Sequence, residues 1–92
     1  MKKAEKIDKL VKELVEWENN YYNCTVSRSG DGDWLDEAFR EAEEAFFREY
    51  EGYDKYSRSV SDAICLAEEE NKSFNFIKEM AEYWREQVEW YV

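Results

Sequence analysis

Apolar side chains recur every three to four residues through nearly the whole chain, and no window alternates strictly between apolar and polar. A period near 3.6 gathers such residues on one side of an α-helix, whereas a half-buried strand needs a period of two. Pro, which removes a backbone N–H and clashes with the preceding turn, is absent from all 92 positions. The pattern leaves helices as the building material.

The first periodic segment holds Ile7, Leu10, Val11, Leu14, Trp17, Tyr21 and Tyr22, which predicts a helix over 3–22. Its outer face carries Glu5–Lys9, Asp8–Lys12, Lys9–Glu13 and Lys12–Glu16 at i, i+4. Each such pair is worth roughly 0.2–0.5 kcal/mol. Residues 23–33 contain Ser, Asp and the glycines Gly30 and Gly32, and read as a loop. Asp33 stands where an N-cap belongs, with Asp36 and Glu37 in the first turn, where carboxylates suit the exposed N–H groups and the dipole. Leu35, Ala38, Phe39, Ala42, Phe46 and Tyr50 share one face of a second helix over 34–51, ended by Gly52. A third helix over 54–71 has Tyr56, Val60, Ala63, Ile64 and Ala67 in phase, with Asp54, Ser57 and Ser59 competing as its cap. The fourth starts near Ser73 and covers 73–91, with Ile77, Met80, Ala81, Trp84, Val88 and Tyr91 at helical spacing. Cys24–Ser27 is the one β-compatible stretch and is too short to stand alone. The expectation is one all-α domain over 1–92, a small antiparallel bundle of about four helices.

Such a chain can bury enough to fold. Surface scaling gives roughly 5,700 Å² folded against roughly 16,000 Å² unfolded, so about 65% is hidden. Aromatics make up 17% of the residues, which separates this chain from disordered acidic tails.

What is missing narrows the chemistry. There is no His, which removes Ser-His-Asp and Cys-His catalysis, imidazole bases and His-built metal sites. Cys24 and Cys65 lie too far apart for a redox or zinc-ribbon pair, and no His or clustered cation stands near either in sequence. Asp31, Asp33 and Asp36 do not complete a calcium-loop pattern. Glu43-Glu44 followed by Phe47, and Glu69-Glu70 followed by Ser73, both miss the E-E-x-x-E magnesium motif of helical pyrophosphohydrolases. No segment looks like a signal peptide or a membrane span, so free thiols in a reducing cytoplasm are expected. The Asn23 and Asn71 glycosylation patterns are then chance matches. The expectation is no enzyme, no cofactor and no metal.

Charge is the most informative remaining feature. The formal net charge is −10, which argues against direct binding of nucleic acid. Residues 1–22 are neutral, whereas 23–52 hold nine acidic and three basic residues. On a helical wheel Asp36, Glu37, Glu41, Glu44 and Glu51 share the side opposite Leu35 and Phe46. Glu37 and Glu41 form a like-charge i, i+4 pair, and Asp36–Arg40, Arg40–Glu44 and Glu44–Arg48 offer only partial relief. Phe47 projects about 100° from Phe46, onto that polar side, as an aromatic anchor would. Glu18 falls inside the apolar arc of the first helix, where a carboxylate must find a partner or hold a raised pKa. In the fourth helix Phe76, Tyr83 and Trp90 form a second stripe, so its apolar arc is wider than one core face requires.

Two readings follow. Small size, acidity and missing catalytic residues resemble, in composition alone, phage anti-restriction and anti-CRISPR proteins, uracil-glycosylase inhibitors and nuclease immunity proteins. No motif accompanies that likeness. It implies a DNA mimic that occludes the basic surface of a nucleic-acid enzyme, with Asp31, Asp33, Asp36, Glu37, Glu41, Glu44 and Glu51 as the phosphate-like face and Phe47 as anchor. In the alternative, the charge serves only solubility, and Phe76, Tyr83 and Trp90 mediate self-association or adaptor docking through the last helix.

Overall fold

The computed structural model describes residues 2–30, 32–54 and 59–92. Among them are four α-helices and no strand: α1 (Lys3–Ser29), α2 (Asp33–Glu49), α3 (Val60–Glu69) and α4 (Phe74–Tyr91). The all-α bundle read from periodicity is the fold.

α1 is longer than its apolar period suggested. Residues 23–29, expected in the loop, continue the helix, and the β-compatible Cys24–Ser27 is helical too. Thr25 is accommodated in that continuation. It is buried, and its hydroxyl donates to the Tyr21 carbonyl 2.8 Å away, so a residue that favours turns is satisfied inside the helix. Gly30 then ends α1 in the left-handed region, φ 73°, and its N–H donates to the Val26 carbonyl at 2.8 Å. Gly32, not Asp33, occupies the N-cap of α2, and Asp33 is the first helical residue.

α2 stops at Glu49 rather than at 51. Tyr50 leaves helical geometry and turns its ring onto Phe46, Phe76 and Tyr83, which places Glu51 in the following turn and off the helix. α3 begins at Val60, six residues later than expected, capped by Ser59, whose hydroxyl accepts from the Asp62 N–H. Tyr56 and Ser57 lie outside the described residues. Ser73 caps α4 in the same manner through the Phe76 N–H, as its sequence position implied.

Paired contacts give the helix directions. Lys6 lies over the Phe74 ring, Arg85 over the Trp17 ring, and Glu18 accepts from the Trp84 indole N–H. The partners on α4 rise in number as those on α1 rise, so α1 and α4 run parallel. Against α4, Phe39 and Phe46 meet Trp84 while Tyr50 meets Phe76, so α2 runs the other way. Antiparallel packing therefore holds for α2 with α4, while the first and last helices lie side by side in one direction. α4 packs on all three other helices. That accounts for its wide apolar arc.

The core is built on Phe46 and Trp84, both essentially inaccessible, with Ile7, Leu14, Val60, Ile64, Ile77, Met80 and Val88 around them. Phe46 touches Phe47, Tyr50, Tyr83 and Trp84 with ring centroids 4.9–6.3 Å apart. Such aromatic pairs add to the area they bury. The total surface of 6191 Å² slightly exceeds the scaling value, as suits a body measuring 41 × 27 × 19 Å.

Candidate acidic interface on the second helix

α2 buries Leu35, Ala38, Ala42, Ala45 and Phe46, and this fixes which of its side chains face outward. Asp33, Asp36, Glu37, Glu41 and Glu44 are all exposed. Successive carboxylates four residues apart stand about 6 Å from one another along the axis. The three expected i, i+4 cation pairs do not form. Arg40 turns back to Glu37 instead, at i, i+3. Among the described residues, Glu41 and Glu44 have no cation within ion-pair distance. Among Asp36, Glu37, Glu41 and Glu44, the ion pair that forms is Glu37–Arg40.

Asp36 is positioned from the neighbouring helix. The Tyr22 hydroxyl donates to it across 2.8 Å. That hydrogen bond, with Asp33 also nearby, holds the Tyr22 phenol above its ordinary range. Asp31 lies outside the described residues, and Glu51, being in the turn after α2, does not continue the row.

Phe47 departs from the expected outward anchor. It is half-buried, meets Phe46 edge-on at 5.2 Å and lines a groove of about 500 Å³ with Arg40, Glu44, Arg48 and Asp54. Its neighbours are therefore mixed in sign. The core pulls it in because its ring can reach Phe46 along the edge of the apolar face.

The aromatic that stands out on this helix is Trp34, 41% exposed. Sequence reasoning passed over it, although its wheel position, three residues before Glu37 and seven before Glu41, puts it on the same ridge. Glu43 was missed as well. It borders the apolar face, and with Glu18, Tyr22, Asp36, Phe39 and Arg40 it lines a cleft of about 360 Å³ between α1 and α2. Burial pushes the Glu18 carboxyl up, and its bond from Trp84 offsets this in part. Burial likewise raises Glu43, and the nearby Glu18 charge raises it further. Glu18 thus finds its partner in the Trp84 indole across the bundle.

The second stripe separates into two parts. Phe76 and Tyr83 are half-buried and pack on Tyr50, with Tyr53 also against Phe76 and Phe46 against Tyr83. Trp90 alone of the three is open, at 81%. α4 also carries a row that charge counting by segment concealed: Glu79, Glu82, Glu86 and Glu89, all exposed at intervals of three and four residues.

The Cys65 thiol does not show the surroundings of a nucleophile. Cys24, on α1 rather than in a loop, and Cys65, on α3, are exposed and free. Burial, followed by the charges of Glu68 and Asp62, pushes the Cys65 thiol up, so its thiolate is disfavoured. Among the described residues no group of three or more Cys, Asp or Glu is placed to hold a metal ion, and no helix is long and apolar enough to cross a membrane.

No family matches this chain, and no curated protein or solved structure matches it either.

Proposed function

We propose that this chain is a non-enzymatic acidic binding protein, a DNA mimic whose α2 face occupies the basic nucleic-acid-binding surface of a partner enzyme. One observation carries the reading: Asp33, Asp36, Glu37, Glu41 and Glu44 all stand exposed on one helix, with Glu37–Arg40 the one ion pair described along it. Arg40 and Arg48 stand at i, i+4 from Asp36 and Glu44, yet those pairs are not formed, which leaves the carboxylates open to a partner's cations. Spacing of about 6 Å resembles the scale on which charges follow one another along a nucleic-acid strand. The carboxylates would replace phosphates at the partner's Lys and Arg, and the long-range field would speed encounter.

The test is competition. A partner captured from a bacterial lysate at low salt should be released by excess duplex DNA and by raised salt. A partner that stays bound in saturating DNA overturns the mimic.

A second reading keeps one supporting observation, the exposure of Trp90. Docking or self-association through the end of α4 would cover that indole. Light scattering on wild type and Trp90→Ala decides it, since a monomer in both removes stable self-association.

A further inference from the structure

An exposed indole on a charged helix needs a reason. Trp34 lies outside the core cluster, and among the described residues it has no ring neighbour, no cation over its face and no acceptor for its N–H. It also sits on a particular ridge. Glu37 and Glu41 follow it at i+3 and i+7, both exposed, so the indole and the two carboxylates line up along the outer surface of α2.

We infer that Trp34, Glu37 and Glu41 form a seat for an arginine side chain presented by the partner. This rests on the reading of α2 as the binding face and gives it a contact chemistry. A guanidinium is planar and weakly hydrated, so it stacks on an indole face while its N–H groups reach carboxylates beside the ring. An ammonium is a compact, strongly hydrated point charge and gains less from such a surface. Charge complementarity selects a cation as occupant, and the ring selects the flat one. The same ridge already accepts a guanidinium from its own chain, since Arg40 pairs with Glu37. A partner arginine would take over that carboxylate and add Glu41, which has no cation of its own among the described residues.

The probe is a pair of peptides of equal length, one of arginine and one of lysine, titrated into the ¹⁵N-labelled protein. The indole N–H resonances of Trp17, Trp34, Trp84 and Trp90 report separately, with Trp34→Phe assigning its own. The arginine peptide should move the Trp34 indole and the Glu37 and Glu41 amides while the Trp17 and Trp84 indoles stay. Trp34→Leu, at an exposed position that leaves the core intact, should weaken the arginine peptide on the order of fivefold and the lysine peptide less. If the Glu41 and Glu44 amides move while the Trp34 indole does not, or if Trp34→Leu binds both peptides as wild type does, the seat is wrong and the acidic face stands. If neither the indole nor those amides respond, both fail.

Discussion

Glu18 pays the clearest electrostatic penalty in the molecule. It is a carboxylate inside an apolar arc, held by one indole N–H, with a second half-buried carboxylate, Glu43, across the cleft. Both are raised above the ordinary carboxylate value, so in the folded state each takes up a proton more readily than in the unfolded chain. The folded state then binds more protons between the unfolded value, about 4.5, and the raised folded one. Stability must rise as pH falls through that window and be lost as pH climbs out of it. Relief of the −10 charge acts in the same direction, so the contrast with a variant isolates the site. Glu18→Gln keeps an acceptor for Trp84 and removes the charge. Urea denaturation at neutral pH should find it more stable than wild type, with the difference closing toward pH 4. Equal pH profiles for the two would show that Glu18 carries no such penalty.

At the scale of the element, helix ends separate what the sequence states from what it conceals. Gly30 closes α1 at φ 73° with open space around its α-carbon, so a methyl group there meets backbone strain and no clash. Gly30→Ala should therefore cost about 1 kcal/mol in urea denaturation, with the fold unchanged by circular dichroism. An unchanged midpoint would mean that the cap does not hold the end of α1. The existence, type and order of all four helices were legible, because their periods are long and their buried faces continuous. The extension of α1 through residue 29 was not. Asn, Cys, Thr and Ser read as loop formers, and the burial of Thr25, with its hydroxyl satisfied on the Tyr21 carbonyl, depends on tertiary packing that the sequence does not show. The early end of α2 was hidden for a related reason, since Tyr50 breaks the helix to reach Phe76 and Tyr83 on α4. Within the candidate site, Asp36, Glu37, Glu41 and Glu44 could be read from the wheel, whereas Asp33 was expected as a cap and Glu51 was expected on the helix but lies in the turn after it. Phe47 and Trp34 could not be ranked, because which aromatic turns inward depends on the core that Phe46 and Trp84 create.

For the whole molecule, the location of charge matters more than its sum. Two acidic rows stand on different helices: Asp33, Asp36, Glu37, Glu41 and Glu44 on α2, and Glu79, Glu82, Glu86 and Glu89 on α4. Burial and then the charges of Glu79 and Glu49 hold the Tyr50 phenol above its usual range, and burial and then Glu49 do the same for Tyr83, with Arg48 opposing. The neutral first segment and the parallel pairing of α1 with α4 leave the α2 row on its own side of the bundle. If only net charge mattered, either row would serve. The decisive measurement compares two charge reversals of equal size, Glu41→Lys with Glu44→Lys on α2 and Glu82→Lys with Glu89→Lys on α4, in salt-dependent capture of the partner. The α2 pair should abolish capture at low salt while the α4 pair retains most of it. Equal loss from both pairs, or full capture by the α2 pair, would contradict it.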